Sequence, residues 1–173
     1  MESELKIEVK SIEPVVQSNG YWIGERTINI VFGKGKEYSI PELAIESAKV
    51  LNRTSIYSIL LSSSDKIIPW DIVLEYMSYM HEHYKISIST QGVQHVPEDF
   101  MEKSRTFISL TPSLEDDFDF SSFERNTLKI IKNEYYNYEI VFTVERHEDI
   151  KASLSMLSSM VAPKHLTIVY QPP

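Results

Sequence analysis

The side chains able to do chemistry fall into three small groups, and one residue type is missing altogether. His81-Glu82-His83 holds two of the five histidines, Glu115-Asp116-Asp117-Phe118-Asp119 is an acidic run, and Ser62-Ser63-Ser64-Asp65 sets hydroxyls beside a carboxylate. Histidines that share a metal on a helix stand four apart, so that both imidazoles leave one face; a spacing of two points them apart. The pair therefore reads as a solvated helix C-terminus, where the dipole favours imidazolium charge. The acidic run offers oxygen ligands for a divalent cation, but acidic residues also gather at helix N-termini for electrostatic reasons, and that reading is preferred. A nucleophilic serine needs a base and a strained G-x-S-x-G turn. Neither accompanies Ser62, Ser63 or Ser64, which read as a polar loop. The chain contains no cysteine, which removes disulfides, thiolate metal centres and thiol nucleophiles together.

Bulk properties exclude further classes. A length of 173 residues with 42% hydrophobic content suits one domain, 1–173, with its own core. With 25 acidic against 17 basic residues the formal charge is -8, and no basic run offsets it, so a nucleic-acid partner is not expected. No apolar run approaches ~20 residues and no charged-then-apolar leader is seen, so neither a membrane span nor a secretory signal is expected. The expected location is cytoplasmic.

The elements that must position these groups alternate between strand and helix length. Leu5 to Val16 and Thr27 to Phe32 read as strands separated by the Gly20 and Gly24 turns. Pro41 in a first turn, with Ser39 as N-cap, opens a helix through Val50. A strand Ser55 to Leu61, a helix Pro69 to His83 and a strand Lys85 to Ser89 follow. Next come a short helix Pro97 to Lys103, a strand Thr106 to Leu110, a helix Phe118 to Asn133 and a strand Tyr138 to Val144. A helix Glu148 to Met160 and a strand Leu166 to Tyr170 close the series. Tyr135, Tyr136 and Tyr138, with Phe118, Phe120 and Phe123, read as packing aromatics ahead of an exposed partner patch. Alternation of this kind implies parallel strands joined by right-handed crossovers. The units are too few for a closed eight-stranded barrel, so the expected fold is α/β, an open partial (β/α)6 TIM-like barrel with mainly parallel strands.

Several patches, in order, carry a family resemblance. Pro14-Val15-Val16-Gln17-Ser18-Asn19-Gly20-Tyr21-Trp22-Ile23-Gly24 is followed by Ser58 to Leu61 with Ser62 to Asp65, then by Ile88-Ser89-Thr90-Gln91-Gly92 and by Phe107 to Ser113. Ile140 to Val144 before Glu148-Asp149-Ile150, and Val169-Tyr170-Gln171-Pro172, complete the set. The chain resembles 7-carboxy-7-deazaguanine synthase, a radical S-adenosylmethionine family whose members carry P-T-I-Q-G-E-G, then a C-x-x-x-C-x-x-C cluster loop, then G-G-E-P, E-T-Q-G and S-P-K motifs. The resemblance implies a radical-SAM-like core lacking the cluster loop, because after Phe32 the chain reads Gly33-Lys34-Gly35-Lys36-Glu37-Tyr38-Ser39. Gly35 and Ser39 stand near the first two cysteine positions. Val31 stands near a substrate-binding arginine, and Leu110 and Thr111 replace the proline and lysine of S-P-K.

A four-iron cluster needs thiolate ligands, so the resemblance implies no iron–sulfur cluster, no metal, no catalytic residues and no enzyme activity. Ser62, Ser63 and Ser64 bring side chains where the family's glycines leave room for the methionine end of the cofactor, which argues against S-adenosylmethionine binding. The expectation is a pseudoenzyme acting as a protein-interaction or regulatory module. Its partner would be a second copy, as a homodimer, or a related synthase, as a heterodimer. The alternative expectation is a binder of a nucleoside, S-adenosylmethionine-like or deazapurine ligand. Its residual pocket would be formed by Gln17, Asn19, Gly20, Ser62, Ser63, Ser64, Thr90, Gln91 and Ser109.

Overall fold

Rows of β-branched and leucine residues, adjacent across parallel strands, build one face of a single sheet. A computed structural model describes residues 5–17, 24–65, 67–103, 105–115, 117–132, 136–160 and 168–171. The elements run β1 (Lys6–Val16), β2 (Arg26–Ser39), α1 (Ile40–Thr54), β3 (Ser58–Ser63), α2 (Trp70–Met80) and β4 (Lys85–Thr90). They continue as α3 (Glu98–Met101), β5 (Thr106–Leu110), α4 (Phe120–Ile131), β6 (Tyr138–Thr143), α5 (His147–Ser159) and β7 (Ile168–Gln171). The strands form one seven-stranded sheet in sequential order. β1 pairs antiparallel with β2, and every later pair is parallel. Among the described residues β7 does not pair with β1, so the sheet stays open, as the alternation implies.

Register explains the two faces. Ile30 lies beside Leu61, Leu61 beside Ile88, and Ile88 beside Ile108, giving a continuous apolar row. These residues join Leu43 and Leu51 of α1, Val73 and Met77 of α2, Phe123 of α4 and Leu157 of α5 in one buried cluster. Each fully buried side chain of this size contributes roughly 1.5–3 kcal/mol. Successive strand residues point to opposite faces, so the other face carries Asn29, Ser62, Ser87, Ser89, Ser109, Glu139 and Thr143. Phe107 and Val141 are buried on that second face, outside the main cluster.

Several boundaries differ from the sequence expectation for local reasons. The first helix runs past Val50 to Thr54, where Ser55 takes a left-handed conformation (φ 52°) and its N–H donates to Leu51 O. β3 therefore begins at Ser58 rather than Ser55. Glu42 accepts a hydrogen bond from the Ser39 N–H at 2.9 Å, half of the capping arrangement that starts α1. The helix after β3 ends at Met80, and Asp119 accepts from the Ser122 N–H at 3.1 Å to start α4 at Phe120.

The largest difference lies in β2, which continues to Ser39 instead of ending at Phe32. Val9 of β1 pairs with both Phe32 and Lys36, so Gly33, Lys34 and Gly35 form a bulge in an otherwise unbroken strand. Gly33 has φ 134°, a conformation that favours glycine, and faces the Ser64 hydroxyl. A Cβ at Gly35 would strike the Val9 carbonyl and the Lys10 backbone. No helix among the described residues is long and apolar enough to cross a membrane.

Candidate functional site

The C-terminal ends of β3, β4, β5 and β6 open into one cleft of about 700 Å3. Ser62 and Ser63 line it from β3, Ser89, Thr90 and Gln91 from β4, Thr111 to Glu115 from the loop after β5, and Thr143, Glu145, Arg146 and Asp149 from the entry to α5. Clefts beyond the carboxyl ends of parallel strands are where open α/β sheets take ligands, because loops of variable sequence converge there on a rigid frame.

Three local devices hold the walls. Thr111 donates its N–H to Thr90 O at 2.7 Å and its hydroxyl to the same oxygen at 3.3 Å, carrying the β4–β5 contact past the last strand residues. Gly92, at φ 78°, turns the chain sharply after Gln91, and a Cβ there would strike the Phe123 ring. The buried Asn126 of α4 latches this turn, its Nδ2 donating to Val93 O at 2.8 Å and to Gly92 O at 3.4 Å. Gln94 ties the β4 loop to the β3 loop, accepting from the Ile68 N–H at 2.6 Å and donating to Ile68 O at 3.5 Å.

Asp149 organises the β6 side. Its carboxylate accepts from the N–H of Arg146 at 2.8 Å, the N–H of Glu145 at 2.9 Å and Arg146 Nη2 at 3.3 Å. These donors, the Arg146 N–H foremost, hold its carboxyl below the usual aspartate value. The side chain is nearly buried while its Arg146 partner is largely exposed on the rim. Asp119, at the start of α4, is lowered in the same way by Ser122.

The structure brings together part of the expected pocket. Ser62, Ser63, Thr90 and Gln91 share the cleft. Ser64 does not line it, because its hydroxyl lies against Gly33 and within 3.2 Å of Asp65 Oδ1. Ser109 is level with Ser89 in the pairing but is buried and does not reach the cleft. Gln17 lies at the opposite edge of the sheet. Its N–H donates to Glu25 O, and Val16 pairs with Arg26 at the N-terminal end of β2, about 20 Å from the Phe32 level at ~3.3 Å per residue. The Gln17 side chain is buried there, and its Oε1 has no partner among the described residues. Asn19 and Gly20 lie outside the described residues.

Sequence reasoning missed Ser113, Glu115, Thr143, Glu145, Arg146 and Asp149 as a group. The signal for Asp149 was the carboxylate three residues after Arg146 at a helix start. That pattern predicts a cap, and here the cap also forms a wall. His81 Nδ1 lies 2.7 Å from Met77 O in the last turn of α2. No group of three or more potential metal ligands occurs among the described residues. Phe123 is buried, with Phe118 and Phe120 tilted against it at ring separations of 5.7 and 6.2 Å, so these aromatics pack within the protein.

No family model and no curated protein sequence matches the chain. QueE from Escherichia coli, a 7-carboxy-7-deazaguanine synthase, matches in structure with a TM-score of 0.68, over 96% of this chain and 83% of that one. The fold is QueE-like. Identity to QueE is 16%, so the likeness concerns the fold. Against the QueE-like frame the residues do not fit a four-iron cluster. The chain supplies no cysteine, and the stretch that the sequence resemblance sets at the cluster loop is the closed bulge of Gly33 to Gly35. Of the three serines, Ser62 and Ser63 form part of the cleft wall and Ser64 is turned aside toward Gly33.

Proposed function

We propose that the chain is a noncatalytic binding module on a QueE-like scaffold, which takes a nucleoside-like or deazapurine-like small molecule in the cleft at the ends of β3 to β6. The observation that carries this reading is the cleft itself. Its volume of about 700 Å3 falls within the range of roughly 300–1,000 Å3 typical of small-molecule sites. It stays open although the neighbouring end of β2 is closed by the bulge.

The noncatalytic half of the reading has separate support. The four-iron cluster of a radical S-adenosylmethionine mechanism needs cysteine thiolates, and the chain has none. Asp149 has its carboxyl lowered, whereas a general acid working near neutrality is tuned upward. Its oxygens are also occupied in capping α5. Calorimetry with S-adenosylmethionine, its hydrolysis products and deazaguanine precursors tests the proposal. Saturable binding of one of them, weakened in Gln91→Ala, is expected; no heat with any of them refutes it.

A second reading, a regulatory module that pairs with its own copy or with a related synthase, draws on α5. Ile150 and Leu154 are one turn apart on that helix and exposed, at 36% and 54%. Light scattering and affinity capture with an active synthase test it. A monomer that captures no synthase sinks this reading without touching the first.

A further inference from the structure

The hydrogen-bonding and charge inventory of the cleft constrains what enters it. Its best-placed donors are already committed to the protein. Ser62 Oγ donates to Asn29 Oδ1 at 3.2 Å, Thr111 Oγ1 to Thr90 O at 3.3 Å, and Ser113 Oγ to Glu115 Oε2 at 3.3 Å. Arg146, the cation lining the cleft among the described residues, is engaged by Asp149 at 3.3 Å through one guanidinium nitrogen. Gln91 and the remaining hydroxyls donate and accept alike, so the balance is set by the carboxylates. Asp149 is neutralised by its guanidinium partner and by two backbone N–H groups. Glu115 and Glu145, both exposed at the lining, have no basic partner among the described residues.

We infer that the cleft selects ligands that are neutral or positively charged and rich in N–H or O–H donors, and turns away phosphorylated ones. This rests on the ligand-binding reading above. An incoming phosphate would lose water and meet two carboxylates, while the one cation lining the cleft among the described residues, Arg146, already pairs with Asp149. An amine or amide group would satisfy acceptors that otherwise face solvent. The overall formal charge of -8 adds a long-range field of the same sign.

A charge series on one scaffold tests the inference by calorimetry on the full chain: adenosine, 5′-amino-5′-deoxyadenosine and adenosine 5′-monophosphate. The amine is expected to bind tightest and the monophosphate at least roughly tenfold more weakly than adenosine at low salt. In the Glu115→Gln, Glu145→Gln double variant that gap is expected to shrink, with the fold checked by circular dichroism. Equal or tighter binding of the monophosphate overturns the charge selection and leaves the ligand-binding proposal standing. A gap unchanged in the double variant overturns the role of these carboxylates. If the series and the deazapurine panel all fail to bind, both proposals fall together.

Discussion

Past Phe32 of β2 the protein is shut, and at the ends of β4 and β5 it is open, although both lie along the same edge of one mostly parallel sheet. At β2 the strand bulges through Gly33 to Gly35 and pairs onward with β1 to Ser39, so backbone and the Ser64 hydroxyl fill the space. At β4 the chain instead turns at Gly92 and is held back by Asn126, which leaves Thr90 and Gln91 facing a cavity. Both outcomes depend on glycines with no room for a side chain, yet one glycine pair lies in a closed bulge and the other glycine turns the chain beside an open cleft. The difference teaches that neighbouring strands on one edge of a sheet can end differently, one sealed by onward pairing and the other left open by a turn.

The strongest way to break the comparison is Gly35→Ala, which drives a methyl group into the Val9 and Lys10 backbone. We expect a loss of about 2–3 kcal/mol in denaturant unfolding, the upper range for overpacking, with ligand affinity per folded molecule unchanged. Unchanged stability would show that the bulge is not a tight seam. Asn126→Ala attacks the open region instead. It removes the donor to the Gly92 and Val93 carbonyls, and we expect about 1–2 kcal/mol of lost stability. Cleft affinity should fall roughly tenfold as the Thr90–Gln91 turn loses preorganisation. Lower stability with unaltered affinity would mean that the latch does not shape the site.

The smallest effect concerns the Asp149 cap, where pH is the probe. Because the folded carboxyl lies below its ordinary 3.8, the cap's contribution is complete above that value and is lost as pH falls through the folded pKa beneath it. Amide chemical shifts of Glu145 and Arg146 should therefore move only below about pH 3.8. Asp149→Asn should remove that titration and loosen the first turn of α5 at neutral pH. A titration that persists in the variant would assign it to another group.

Much of this was readable along the chain. Alternating strand and helix lengths are local patterns, and Thr106 to Leu110 emerges with the expected limits because its apolar run is bounded on both sides. Ser62, Ser63, Thr90 and Gln91 were reachable through the family resemblance, and they share a cleft because the strand ends of a mostly parallel sheet meet at one edge. Gln17 was not, since its placement depends on β1 running antiparallel, which carries its far end away from that edge. The extent of α1 was also hidden, because a serine rather than a glycine takes the left-handed position after it.

The residue types alone settle that this chain supplies no thiolate ligand, since ligand chemistry is a property of side-chain type. It also settles the parallel α/β class, because hydrophobic periodicity is local. Whether the edge of the sheet is open or closed was decided only in three dimensions. The double pairing of Val9, the reach of Asn126 across to the β4 turn and the meeting of Glu115 with Glu145 at one cleft join residues far apart in the chain, and pairing register and packing, not spacing, bring them together.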